Sequence, residues 1–337
     1  MLKKVTFEED KPPADETHTS FSILDGFCTG ISNPSYLCVT PDRKFVYSVD
    51  ENAEGSAANA FSFNAGTGKF TLINRSFTQG QGPCFISATP KHVFTANYGG
   101  GSLSVFARNA DGSLSELKQK IQHIGSSINS DRQAEPHVHQ VLVTKNSKFV
   151  IANNLGTDKV TVYKYDPLAV HEILIPCDTL AVKKGSGPRH IAFSRNGKLA
   201  YLVQELDGTV SVLSLINGKL DLFQETTLIS NPNQKAWAAD IHLSPDGRFL
   251  YATNRAPANN ITCFSVDKAG RLEFLSQVST RGDGPRNFAI SPDGKFLLVA
   301  HQFSNNIVIF QRDKKTGALT DTGERIDVGA PVCLVFY

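Results

Sequence analysis

Six cysteines lie scattered through 337 residues (Cys28, Cys38, Cys84, Cys177, Cys263 and Cys333), and no two form a CxxC pair. A thiolate metal knot or a disulfide framework calls for closer, paired spacing, so the expectation is buried free thiols in a reducing compartment. The chain also lacks an excess of charge of either sign: 34 Lys and Arg stand against 32 Asp and Glu, a formal net of +2. That balance leaves no electrostatic footprint for nucleic acid or a membrane surface. No window approaches the roughly 18 apolar residues of a membrane span. The opening KKVTFEEDKPPADE carries no apolar core of a signal peptide. The expectation is a cytoplasmic protein, or one whose leader is not part of this chain.

What the sequence has in abundance is one repeated unit. In GPRHIAFSRNGKLAYLVQELDGTVSVLSL (187–215), three short runs rich in Val, Leu, Ile and Tyr are separated by Gly, Asn and Asp turns, the pattern of antiparallel strands. Leading turns of the same kind fall at Pro34, Pro83, Pro136, Pro188, Ala239, Pro285 and Pro331. A period of about 50 residues with several strands per repeat is the spacing of propeller blades. The expected fold is an all-β, seven-bladed propeller forming one domain over 1–337, with residues 1–19 matching the repeat poorly. APVCLVFY (330–337) resembles only the first run of a blade, and SFSILDGF (20–27) resembles an outermost one. The two ends are therefore expected to share the closing blade, which is short of a strand or completed by a distorted Leu2 to Phe7.

The strand order also selects candidate residues. Because run two returns antiparallel to run one, the start of run one and the end of run two share one edge of each sheet, beside the central channel. Run-one starts contribute His137, His139, Arg189, His190, Asp240, His242, Arg286 and Asn287. Run-two ends contribute Asp50, Glu51, Glu205, Arg255, His301 and Gln302. Arginine forks suit carboxylate and phosphate oxygens, with structural ion pairing as the alternative. His137 and His139 are spaced like a metal pair, yet no third ligand follows at a recognisable spacing, so no metal or cofactor is expected. His190 alternates out of phase with Arg189, which leaves it either a core or a channel histidine. The opposite edge carries the turns PDRK, TPKH, KNSK, RNGK, SPDGR and SPDGK, read as solvated hairpins without function. Two polar insertions, 124–140 and 229–240, precede a first run, and the second holds the only Trp, Trp237. Loops of that length on a repeat scaffold more often serve a site than the fold.

PRH, QEL, NR and PRN in successive repeats resemble the lactonase family of seven-bladed propellers over roughly residues 20–337. The resemblance implies metal-free chemistry on a small lactone carrying an anionic group, in carbohydrate metabolism. By position it implies catalytic roles for His139, Arg189, Glu205 and Arg255, with Arg286 as a further arginine of the site and His137 the second choice for the histidine; the shared edge adds His137, His190, Asp240, His301 and Gln302 as candidate substrate-binding residues. On that assignment His139 is the general base, Glu205 orients it, Arg189 meets the carbonyl oxygen, and Arg255 with Arg286 holds the distal anion. The chain departs from the family at His301, at AADIH (238–242) and in lacking a GTYT-type opening strand. A muconate-type cyclisation and a non-catalytic scaffold are the alternatives. The expected partners are a small anionic lactone, no nucleic acid and no membrane, with the protein a monomer or weak homodimer.

Overall fold

The computed structural model describes residues 2–9, 19–28, 30–64, 66–231 and 233–337. It is an all-β propeller. Among the described residues six antiparallel four-stranded sheets follow in chain order: blade 1 (37–77), blade 2 (83–122), blade 3 (138–181), blade 4 (188–227), blade 5 (238–279) and blade 6 (285–327). A separate two-stranded sheet pairs Leu2–Glu9 with Thr19–Cys28, and its second strand lies beside Lys69–Phe77, the outermost strand of blade 1. The first strands of successive blades pack against one another around a common axis.

Burial follows position in the blade. The second strands, such as Phe149–Asn154 and Leu199–Gln204, are buried along nearly their whole length because each sheet is covered on both faces by its neighbours. Outer strands alternate instead: Leu114–Gln122 presents every second residue to solvent. Neighbouring blades are also joined by hydrogen bonds from buried tyrosines. Tyr47 Oη donates to the carbonyl of Gly112 at 2.8 Å, and Tyr251 Oη to that of Gly317 at 2.7 Å. The hairpins at the far edge close through a repeated side-chain device. Ser194 Oγ donates to Asn196 Oδ1, which also accepts from Lys198 N, and Gly197 follows at φ 70° where a left-handed residue is required.

The segment 330–337 forms no assigned strand, but it occupies the gap between blades 6 and 1. Leu334 N donates to Asn287 Oδ1 (2.6 Å), Leu334 packs with Leu298, and the ring of Tyr337 meets Phe63 edge-on at 5.0 Å. No helix of the described residues is long and apolar enough to cross a membrane.

Candidate active site

Strand pairing corrects the alignment of the repeats. Pro83, Val138, Pro188, Ala238 and Pro285 hold equivalent places opposite Asn97, Asn154, Gln204, Asn254 and His301. Blade 3 is thus anchored at Val138 rather than Pro136, and blade 5 at Ala238 rather than Ala239. The residues in the place of Arg189 are then Cys84, His139, Ala239 and Arg286. Each lies at an irregularity in which one extra residue on the first strand faces its partner strand. A bulge interrupts the two-residue alternation and re-aims a side chain. Consequently Arg189 and His190 both line the axial pocket, although simple alternation sends them to opposite faces.

Ser35, Cys84, His139, Arg189, Arg286 and Val332 form one tier of that pocket, and Tyr36, His190 and Asn287 the next. The space between them, open on one side, is about 10 Å³, near the lower limit for one water molecule. Beside the pocket lies Glu205, which is 2 % exposed and collects three guanidinium groups. Arg189 Nε donates to its Oε2 (2.9 Å), Arg132 Nη2 to its Oε1 (2.6 Å), and Arg255 Nη2 lies 3.0 Å from Oε2. Burial raises the proton affinity of Glu205, but Arg255, Arg189 and Arg132 outweigh it and bring its pKa down to about 2. A carboxylate so held is a poor proton acceptor at neutral pH. It serves as the counter-ion that lets three guanidiniums crowd together.

Each arginine is held further. Arg189 Nη1 donates to the Ala239 carbonyl, while Nη2 has no hydrogen bond to the described residues. Arg255 donates to the carbonyls of Trp237 and Ala238 and stacks over the Trp237 ring at 4.2 Å. Arg132 also donates to Tyr98 Oη (3.1 Å). By contrast, Arg286 is half-buried in the pocket wall and makes no ion pair or hydrogen bond with the described residues.

Two imidazoles face the same space. Burial, Arg189, His190 and Arg286 all lower the pKa of His139, so it is neutral at pH 7; its Nε2 lies 4.0 Å from Glu205 Oε2. His190 is likewise neutral, its pKa lowered to about 4 by burial and Arg189, and its Nδ1 lies 2.9 Å from Asp240 Oδ1. Asp240 is also buried, and His242 Nε2 (2.9 Å), Asn287 Nδ2 (2.5 Å) and the Ile241 amide (3.0 Å) all point at its oxygens. Burial acts to raise the pKa of Asp240, yet His242 and the hydrogen bonds bring it far below the usual carboxylate range.

The structure therefore brings His139, Arg189, His190, Glu205, Asp240, Arg255 and Arg286 into one cluster. It does not bring in His301, which is fully buried beneath Gly282 in the place that Gln204 and Asn254 hold in their blades. In that place Asn254 fixes the loop that leads into its own blade by accepting from the Trp237 amide. Gln302 stands half-buried in the place of Glu205, its amide bonded to the Gly284 carbonyl. His137 sits outside the pocket wall, stacked on Tyr98 at 4.4 Å with Nδ1 on the Tyr98 carbonyl. Among the described residues no three His, Cys, Asp or Glu side chains are grouped to hold a metal ion. Arg132, Tyr98 and Cys84 were not among the sequence candidates. The signal for Arg132 was its place in an insertion that must lie at the site edge.

Asp158 holds that insertion down. Its carboxylate accepts from Ser127 Oγ (2.5 Å), Gln133 Nε2 (2.8 Å), Gly185 N (2.6 Å) and Gly187 N (2.7 Å), tying the Arg132 loop to the turn that leads into Arg189. Replacing Asp158 with Ala strands four donors, at about 1–3 kcal/mol for each that stays dry. The expected results are a stability loss of about 2 kcal/mol or more in chemical denaturation and faster hydrogen exchange across 124–135. Unchanged exchange there would show the clamp to be idle.

The fold and site thus define a propeller whose strand bulges gather arginines and neutral histidines around one axial pocket. Residues 13–336 match the family described as "Lactonase, 7-bladed beta-propeller". The 6-phosphogluconolactonase of Formosa agariphila is 38% identical, with 97% of each chain covered. Among solved structures, a putative 6-phosphogluconolactonase from Bacteroides fragilis superimposes with a TM-score of 0.90 at 37% identity, covering 98% of this chain and 96% of that one. The periplasmic gluconolactonase of Pseudomonas aeruginosa superimposes with a TM-score of 0.88 at 33% identity, covering 98% and 97%. The chain belongs to the seven-bladed β-propeller lactonase family.

Proposed function

We propose that this protein is a lactone hydrolase that opens 6-phosphogluconolactone to 6-phosphogluconate in carbohydrate metabolism. The observation that carries this reading is Arg286, a guanidinium in the pocket wall without a partner among the described residues, facing two neutral imidazoles. Hydrolysis needs a base for water, a donor for the developing oxyanion and an anchor for the distal anion. Arg189 Nη2 supplies the donor and Arg286 the anchor, with Arg255 and Arg132 held back by Glu205 as supports. This differs from the sequence expectation, in which Arg255 gripped substrate. Opening of 6-phosphogluconolactone, followed through the oxidation of its product by a coupled dehydrogenase and corrected for spontaneous hydrolysis, tests the reading. Turnover of carboxymuconate with no turnover of the sugar lactone would overturn it in favour of a cyclising enzyme.

Closure by a seventh blade belongs to the same proposal, and with it the chain is one domain. Val332 and Ser35, outside any assigned strand, line the pocket beside the first-strand residues Cys84, His139, Arg189 and Arg286, which supports a seventh inner position at the axis. Segment 330–337 supplies the inner strand, and Leu2–Glu9 with Thr19–Cys28 supplies the outer pair. Deleting 330–337 is expected to lower thermal stability and abolish activity together, because it removes a pocket wall and the Leu334 bond to Asn287. Full activity in the truncated chain would refute closure by this segment. Free thiols at Cys38, Cys84, Cys177, Cys263 and Cys333 support a reducing compartment such as the cytoplasm. A monomer or weak homodimer is the expected state in sedimentation.

A further inference from the structure

Resting on the lactone-hydrolase reading, we propose that His190 is the catalytic base that takes the proton from the attacking water, and that Asp240 is the positioning residue that holds its imidazole in the productive tautomer. His139, the base expected from the sequence, is the neighbour against which this choice is made.

Three observations separate the two imidazoles. His190 Nδ1 lies 2.9 Å from Asp240 Oδ1, and the remaining contacts of that carboxylate come from donors: the Ile241 and Phe288 amides, Asn287 Nδ2 and His242 Nε2. An ionised carboxylate accepts only, so the proton of His190 sits on Nδ1 and the lone pair on Nε2. That Nε2 is buried without a hydrogen-bond partner among the described residues, in a side chain that lines the pocket. Finally, the ring is fixed edge-on by Phe85 (5.4 Å), Tyr36 (6.0 Å) and His139 (5.1 Å), so its orientation is set by packing. His139 also has an edge-on ring neighbour, Tyr98 at 5.4 Å, but no carboxylate within hydrogen-bond reach. Its Nε2 is 4.0 Å from Glu205 Oε2, beyond a hydrogen bond, and its Nδ1 is 3.8 Å from the Cys84 thiol.

In the step itself, one O–H bond of water breaks and its proton moves to His190 Nε2 as the oxygen bonds to the lactone carbonyl carbon. Arg189 Nη2 meets the resulting oxyanion. On collapse the bond from that carbon to the ring oxygen breaks, and the same proton passes from Nε2 to the departing ring oxygen. The product acid then ionises to solvent. The base is active when neutral. Its pKa is lowered to about 4 by burial and Arg189, opposed by Asp240, with His242 and His139 the other titratable groups packed nearby and Arg286 the other cation on the pocket wall.

Histidine-selective 15N NMR of the wild-type protein at pH 7 is expected to show His190 with a protonated Nδ1 and a bare Nε2, assigned by its loss in His190→Gln. The opposite tautomer overturns the proposal whatever the variants do. In kinetics, wild-type kcat/KM for 6-phosphogluconolactone is expected to fall on the acid side near pH 4. His190→Gln is expected to lower kcat by about 10²–10⁴-fold with KM within a few-fold and to lose that acid limb. Asp240→Asn is expected to lower kcat and shift the limb, while the fold, checked by near-ultraviolet circular dichroism, is kept. If His139→Gln removes the limb and His190→Gln keeps it, His139 is the base and the proposal fails. A wild-type protein that opens no lactone defeats the functional reading instead, and the tautomer measurement separates the two failures.

Discussion

Glu205→Gln is expected to cost about 3–5 kcal/mol of folding stability and at least about 10²-fold in lactone turnover. The first figure is that of breaking a buried ion pair, which leaves charge without its counter-ion. Here the uncompensated charge is unusually large, since Arg132, Arg189 and Arg255 all converge on this carboxylate and the last two are 2 % exposed. The activity loss follows from Arg189, which Glu205 orients through Nε; a displacement of about 1 Å in a positioned group is worth roughly that factor. Urea titration measures the first quantity and the coupled assay the second. The same charge sets an acid limit. A carboxyl lowered from about 4.3 in the unfolded chain to about 2 in the folded one contributes stability that is complete above the higher value. That stability is lost as pH falls through the interval. Asp240, lowered further, acts in the same direction. Wild-type stability should therefore drop steeply between about pH 4 and pH 2, and Glu205→Gln should flatten the slope. An equally steep slope in the variant would remove Glu205 as its cause.

Arg286→Ala is expected to raise KM for 6-phosphogluconolactone by roughly 10²-fold with a smaller change in kcat. Truncating one partner of a desolvated charge pair costs about 2–5 kcal/mol, and the exposed side of this pocket places Arg286 toward the lower end, about 3 kcal/mol. Its geometry predicts the form of the defect as well as the size. Arg286 has no carboxylate of its own among the described residues, so its removal leaves no internal ion unpaired, and stability should change little. Unphosphorylated gluconolactone should be opened equally well by both proteins, so the preference for the phosphorylated substrate disappears. Arg286→Lys should recover only part of it, because an ammonium lacks the two-pronged fork. If both lactones suffer alike, Arg286 acts on the carbonyl end and the anchor lies elsewhere.

The repeat shows how far residue order alone reaches. The three short apolar runs of 187–215 were legible as strands, and in the structure they are the first three strands of blade 4. Antiparallel order placed PRH and the end of QEL at one edge, and the structure finds Arg189 and Glu205 2.9 Å apart. His301 was drawn into the candidate set by the same rule. It fails because it is the last residue of its strand, where its side chain lies fully buried beneath Gly282 and outside the pocket lining.

What residue order determined, then, is the propeller, the edge at which charges gather and most members of the cluster, since these depend on periodicity and on strands reversing direction. Tertiary structure decided which way the charges face. The extra residue at the start of the first strands turns both Arg189 and His190 inward. A loop from between blades delivers Arg132, and Asp240 reaches from blade 5 to a histidine of blade 4. Those choices depend on distances between strands about 50 residues apart in the chain, which no local pattern encodes.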